Sequence, residues 1–227
     1  LGEAIQSGQD VRSLVISREK VADYGGYLRW AQAQDVEVLL CPPRILQSLG
    51  DARSSQGVLA AVAWREAAWP DFPDTALALA LDGVQDPGNV GALIRTADAV
   101  GAACVLLGPG CADPTGPKAV RASMGSLFHL PLVDCPDLQD ALRTLAGQGW
   151  AVLSGDLAGE NFLTRRVVQT RQVLLIGNEG GGVSQDVSEA ATHRLRLPMA
   201  GQAESFNAGI SAGIMLYDMA RSLSILQ

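Results

Sequence analysis

The chain has 227 residues, 48% of them hydrophobic, and a formal net charge of −7. That length allows one large domain or two modest ones, and the apolar fraction supports a packed core and argues against wholesale disorder. An acidic chain is not built to coat nucleic acid nonspecifically, although 17 Lys+Arg leave room for local basic patches.

Residues 1–65 read as a small α/β unit. Val11–Ser17 is a strand candidate, Tyr27–Gln34 a short helix, and Val36–Cys41 a second strand stopped by Pro42-Pro43. Arg44–Leu49 is a short helix ended by Gly50, and the apolar run Gly57–Trp64 suits a strand. Residues 66–75 carry Pro70 and Pro73 with little periodicity and read as a linker that Trp69 and Phe72 can pin to a neighbouring domain. From residue 76 to 227 the pattern becomes repeated strand and helix. Strands are expected at Leu77–Leu81, Cys104–Leu107, Leu127–Leu132, Ala151–Ser154, Val173–Ile176 and Arg194–Leu197. Helices are expected at Asn89–Val100, Gly116–Met124, Asp137–Gly147, Ser184–Ala191 and Ser205–Ser222. Near-continuous apolar strands with intervening helices imply a mostly parallel sheet covered on both faces, with ligands at the C-terminal strand ends. The last helix is apolar on more than one side, which places it either in a core or against a second subunit.

Seven bases against ten acids in residues 1–76 give −3, and ten against fourteen in the remainder give −4, so neither half is the basic one. Cys41, Cys104, Cys111 and Cys135 include no Cys-x-x-Cys pair and suit free thiols in a reducing compartment such as the cytoplasm. His129 and His193 are far apart, which argues against a histidine-based metal or triad site. No uncharged apolar run of 18 residues and no signal peptide is present. The chain begins at Leu1 instead of Met, from which an N-terminal piece is expected to be missing.

Three glycine- and asparagine-rich segments, each after an apolar run, carry the chemistry. The first, Asp86-Pro87-Gly88-Asn89, is a turn in which Asn89 is a candidate N-cap. Arg95 follows among apolar neighbours. It either pairs with Asp98 on the helix surface or aims its guanidinium into a cleft. The second is Gly177-Asn178-Glu179-Gly180-Gly181-Gly182. Four glycines in six residues cost folding entropy unless the backbone needs that freedom. Glu179 there binds something polar or hydrogen-bonds nearby backbone, and Ser184 is a candidate N-cap. The third runs from Leu197-Pro198-Met199 to Ser205-Phe206-Asn207, where Asn207 either caps the final helix or helps receive a ligand at its first turn. Asp113, Cys135 and Asp156 also follow strand ends, but their spacing specifies no chemistry and they read as structural. Neither the dinucleotide fingerprint nor a P-loop occurs, so a dehydrogenase is disfavoured.

These segments, in this order and spacing, resemble the SpoU/TrmH family of RNA ribose 2′-O-methyltransferases of the SPOUT superfamily. The resemblance rests on Gln85 to Asp98, Leu175 to Ser184 and Leu197 to Asn207 running into Leu216-Tyr217, with Val120 to Pro131 similar to the family's Arg-x-Ser-x-Gly segment. Ser54 to Leu59 resembles the end of an L30e-like substrate-binding domain. The third motif departs from the family's Ser-Leu-Asn-Val-Ser at Phe206, Ala208 and Gly209, none of which removes a catalytic group. The resemblance implies an α/β fold with a deep trefoil knot, S-adenosylmethionine as cofactor, a homodimer through the C-terminal domain, and RNA as substrate. Ribosomal RNA is preferred over transfer RNA, with no role for DNA or a membrane. It also implies catalytic roles for Arg95, Asn89, Glu179, Ser205 and Asn207. Ser154, Gly155, Ile176, Gly177, Asn178, Gly180, Leu197, Met199, Ser205 and Phe206 would hold the cofactor. Arg44, Arg53, Arg95, Lys118, Arg121, Arg165 and Arg166 are the expected RNA contacts. The small domain would select the target, and a catalytically silent RNA-binding module is the alternative from another class.

Overall fold

The computed structural model describes residues 1–49, 56–203 and 205–226. The chain divides into two compact units, Leu1–Arg65 and Glu66–Gln227. The expectations for Gly50, Arg53 and Ser54 fall outside the described residues.

The first unit contains α1 (Gly2–Gln6), β1 (Val11–Ser17), α2 (Gly25–Ala33), β2 (Glu37–Cys41), α3 (Pro43–Leu49) and β3 (Val58–Val62). Its three-stranded sheet has the order β2-β1-β3, with β1 parallel to β2 and antiparallel to β3. β1 is central because it supplies fully buried Leu14 and Ile16, which share the core with Ala31 of α2 and Leu46 of α3.

The second unit is an α/β fold on a six-stranded, wholly parallel sheet. Its elements are β4 (Ala76–Asp82), α4 (Pro87–Ala99), β5 (Cys104–Leu107), α5 (Pro117–Ser123), β6 (Leu132–Asp134), α6 (Leu138–Gly147), β7 (Ala151–Asn161), β8 (Arg171–Gly177), α7 (Gln185–Ser188), β9 (His193–Arg196) and α8 (Ala208–Ser222). The strand order is β6-β5-β4-β8-β7-β9. All seven residues of β4 are buried. Ala76, Ala78 and Ala80 enter the core on one face, and Leu77, Leu79 and Leu81 the core on the other. A strand covered on both faces needs apolar residues at every position, which is why its sequence does not alternate with polar ones. Leu138, Leu142 and Leu145 of α6 close one face, and α4 and α8 close the other.

β4 is the switch point of the sheet. After it the chain builds outward through β5 and β6, then returns to place β8 on its other edge. The β4–β8 register sets Asp82 beside Gly177, so the loops leaving those two strands are neighbours. A crevice at such a point is where open α/β sheets take ligands.

The structure corrects several local expectations. Leu127–Leu132 is not one strand. Gly125 at φ +99° starts a 3₁₀ turn over Ser126–Phe128, and the strand begins only at Leu132. Leu127 and Leu130 are buried all the same, so the apolar run reports burial and not extension. Residues 66–75 are pinned as expected for Phe72, which packs edge-on against Trp150 at 4.7 Å, and Ala67 N donates to Leu132 O at 3.4 Å. The final helix begins at Ala208, not Ser205, and the helix after Ser184 is a single turn. β7 continues to Asn161, well past Ser154.

Candidate active site

The site is built where β4, β8, β7 and β9 end. Its centre is the loop after β8. Asn178 and Gly182 exchange backbone hydrogen bonds of 2.8 and 2.9 Å, closing the loop into a tight hairpin. Gly177 lies so close to the backbone of Gly182 and Val183 that a Cβ would overlap it, which explains glycine there. The Asn178 side chain organises the rest. Its Oδ1 accepts from Gly180 N at 2.8 Å and Gly181 N at 3.1 Å, and its Nδ2 donates to Gly83 O at 2.8 Å. Asp82 Oδ2 adds a tether from below by accepting from Ser184 N at 2.7 Å.

Glu179 joins this loop to the start of α4. Its carboxylate accepts from Asn89 Nδ2 at 2.8 Å and from Gln85 N and Asp86 N at 3.4 Å each. Burial pulls its carboxyl up, but the hydrogen bonds from Asn89, Gln85 and Asp86 outweigh it, and the group titrates below the ordinary glutamate range. Asn89 is therefore not the N-cap. Asp86 caps α4 by accepting from Asn89 N at 3.0 Å, because Pro87 already occupies the first helical position. The Lys118 ammonium sits 2.7 Å from Asp86 Oδ2 and, with the Asn89 N–H, holds that carboxyl low.

A cleft of about 520 Å³ opens over these strand ends. It is lined by Ser154, Gly155, Ile176, Gly177, Asn178, Gly180, Leu197, Met199, Ser205 and Phe206, so all ten residues expected to hold a cofactor lie together. Glu179 is also on its wall. Sequence reasoning missed Ala208, Ser211 and Met215 in the lining and read Asp156 as structural. In the sequence Asp156 follows the apolar run Ala151–Ser154, which was the available signal, and in the structure it lies within β7. Asn207 caps α8, its Oδ1 accepting from Gly209 N at 2.9 Å and Ile210 N at 3.3 Å.

Arg95 is not on this wall. It is exposed, its side chain makes no hydrogen bond or ion pair among the described residues, and it lines a separate groove of about 430 Å³ with Thr96, Ala122, Gly213 and Tyr217. The expected partner Asp98 instead sits 2.8 Å from His129 Nδ1. The two cavities lie on different sides of α8: Ser211 and Met215 face the cleft, Gly213 and Tyr217 the groove. A two-residue step turns about 200° around a helix.

The expected RNA contacts separate in the same way. Arg44, Arg121 and Arg166 are exposed. Lys118 is engaged by Asp86. Arg165 is a correction, because its guanidinium is internal. It bonds Asp218 at 2.7 Å and Phe162 O at 3.0 Å, lies over the Phe162 ring, and leaves only 9% of the side chain exposed.

A crevice at the switch point of a parallel sheet, walled by a glycine hairpin and apolar side chains, defines an α/β protein with a small-molecule site. Comparison with known proteins then assigns the chain. Residues 76–217 match the model of the SpoU rRNA Methylase family. The chain is 33% identical over 189 residues to an uncharacterised tRNA/rRNA methyltransferase of Synechocystis, spanning 83% of this chain and 69% of that protein. It is 39% identical over 144 residues to the 23S rRNA (guanosine(2553)-2′-O)-methyltransferase RlmP of Bacillus subtilis, spanning 62% and 56%. Among solved structures, the SpoU methyltransferase AviRb of Streptomyces viridochromogenes in complex with AdoMet superposes with a TM-score of 0.83 at 29% identity, covering 99% of this chain and 88% of that one. The AdoMet-bound rRNA methyltransferase of Sinorhizobium meliloti gives 0.84 at 31% identity, covering 98% and 85%. The chain belongs to the SpoU methylase family.

Proposed function

We propose that this protein transfers the methyl group of S-adenosylmethionine to a ribose 2′-hydroxyl in structured RNA, ribosomal RNA in preference to transfer RNA. The observation that carries the reading is the convergence of four stretches distant in sequence, within 154–157, 176–183, 195–199 and 205–215, on one cleft of cofactor size. About 300–1,000 Å³ is the usual range for such pockets. The cleft also offers the mixture a nucleoside with an amino-acid tail requires. Ile176, Leu197, Met199, Phe206 and Met215 give apolar contact, while the 177–182 loop brings backbone donors and acceptors close. When bound, the cofactor supplies an electrophilic methyl group.

The protein's own residues then have distinct tasks. Asn178 and Glu179 are positioning residues that hold the cleft loop against the start of α4. Arg95 is the group suited to the acceptor nucleotide. A guanidinium presents five donors and no acceptor, so its work is to hold a phosphate and stabilise the oxyanion that develops at the 2′-oxygen. The proton leaves to water or the phosphate.

Arg95 and the cleft of one chain lie across α8 from each other, and the surface between them is apolar. Ile210, Ile214 and Tyr217 are 56%, 42% and 60% exposed, and Phe206 is 40% exposed beside them. A homodimer packed on this stripe covers it and sets Arg95 of the partner subunit beside the cleft. The small unit, with Arg44 exposed, would select the RNA. Four free cysteines suit the cytoplasm, and no described helix is long and apolar enough to cross a membrane.

The test is methyl transfer from labelled cofactor to purified ribosomal and transfer RNA, with the product mapped by alkali-resistant dinucleotides. R95A should reduce turnover by about 100- to 1,000-fold, the range for removing one oxyanion-stabilising donor. Its affinity for S-adenosylhomocysteine should stay within about threefold, since Arg95 does not line the cleft. Mixing R95A with N178A, a cleft variant, should restore activity, because one site in the mixed dimer then has both parts intact. No restoration on mixing would refute the shared site. Absence of transfer by the unaltered protein to either RNA would refute the function.

A further inference from the structure

Two carboxylates line the cleft among the described residues, Glu179 and Asp156. Glu179 is occupied by the three donors of the α4 start. Asp156 is half-buried, and its Oδ2 has no partner among the described residues. It stands where β7 leaves its register with β9, which pairs at Gly155 and resumes only at Glu160. The intervening bulge is firmly held. Asp156 Oδ1 accepts from Ala158 N at 2.8 Å, and Gly159 O accepts from Arg196 Nε at 3.1 Å. Gly159 also lies against the backbone of Arg194 and Leu195, where a Cβ would overlap. Bulges at a sheet rim beside a site re-aim a side chain, and this one sets a carboxylate with one oxygen fixed and one free on the cleft wall.

Resting on the reading of the cleft as the S-adenosylmethionine site, we infer that Asp156 accepts hydrogen bonds from the ribose hydroxyls of the cofactor's adenosine. A vicinal diol supplies two adjacent donors, the complement of a carboxylate. In dinucleotide-binding α/β sheets an acidic side chain likewise takes the ribose hydroxyls of a nucleotide. The neighbouring Leu157, Ile176 and Met215 are left for apolar contact.

The assay is calorimetric binding of three ligands: S-adenosylhomocysteine, its 2′,3′-dideoxy analogue, and 5′-methylthioadenosine, which lacks the amino-acid tail. D156N keeps an oxygen for Ala158 N–H, and so the bulge, but replaces the free acceptor with a donor. It should weaken S-adenosylhomocysteine and 5′-methylthioadenosine about 10- to 100-fold, as expected for a hydrogen bond to a charged group. It should leave the dideoxy analogue within about twofold of the unaltered protein. Independently of any variant, the unaltered protein should prefer S-adenosylhomocysteine over the dideoxy analogue by about tenfold or more. Equal weakening of the dideoxy analogue by D156N would overturn the inference, as would no preference for the hydroxyls. A loss confined to S-adenosylhomocysteine would overturn it by assigning Asp156 to the ammonium end. No binding of any of the three by unaltered protein would refute the cofactor reading itself.

Discussion

Substituting Asn178 by alanine removes three hydrogen bonds at once: two that fold the glycine loop and one that ties it to Gly83 beneath α4. Each is worth about 0.5–1.5 kcal/mol net when its partner is buried. Gly180 and Gly181 are exposed, so their freed N–H groups regain water, and the Gly83 tether accounts for most of the loss. The expected destabilisation is about 1–2 kcal/mol, which lowers the Tm of a domain this size by roughly 2–8 °C. Binding suffers more than folding does. The untethered loop must be ordered by the ligand, at about 1–2 kcal/mol per backbone residue fixed. Ordering one or two residues weakens S-adenosylhomocysteine by roughly 10- to 100-fold or more. Thermal melting with and without ligand, together with calorimetry, measures both effects. If N178A melts and binds as the parent does, the hydrogen-bond network does not preorganise the cleft, and the physical account of the site is wrong.

If the proposed homodimer packs on the exposed apolar stripe, Ile214→Glu should shift the protein to half its mass in light scattering and abolish transfer while leaving the far-UV spectrum intact. Asp218 accepts from both Arg165 and Arg221 at 2.7 Å; burial raises its carboxyl, but the two guanidiniums win and hold it below the ordinary aspartate value. A depressed folded value means its stabilisation is present above an unfolded pKa near 3.8 and is lost as pH falls through the lower folded one. D218N should therefore be less stable at pH 7, by about 1–3 kcal/mol, and show a shallower loss of stability than the parent as pH falls below the unfolded aspartate value, read from urea titrations at each pH. Burial pushes the Cys104 thiol up to about 12 and the Cys135 thiol to about 11. Both should resist iodoacetamide in the folded protein at pH 8, whereas half-exposed Cys41 should be alkylated; mass mapping of the peptides decides it.

Strands and helices were most legible where one residue type repeats with burial. The Ala/Leu run of β4 and the Leu138, Leu142, Leu145 spacing of α6 announce themselves because side-chain period and packing agree. Boundaries were lost where backbone geometry decides. Leu127–Leu132 is as apolar as a strand, yet a left-handed glycine turns it into a 3₁₀ segment. Asn89 and Asp86 are both good caps, and only the position of Pro87 separates them. The arginines misled most. Arg165 and Arg166 are adjacent and chemically alike, but one is locked under Asp218 and the other faces solvent, a distinction made by residues more than fifty positions away.

What the chain determined by itself was the layered α/β architecture and the set of loops that form the cleft, because hydrophobic period and glycine placement are local consequences of what each backbone segment must do. Which groups meet was decided only in three dimensions. The β4–β8 register joins Asn89 to Glu179, a bulge in β7 brings Asp156 to the cleft wall, and the turn of α8 separates Arg95 from the cavity of its own chain. Such pairings depend on the order in which strands assemble and on the rotation of one helix. Neither leaves a periodic trace, because contacts between residues ninety positions apart impose no spacing on the sequence between them.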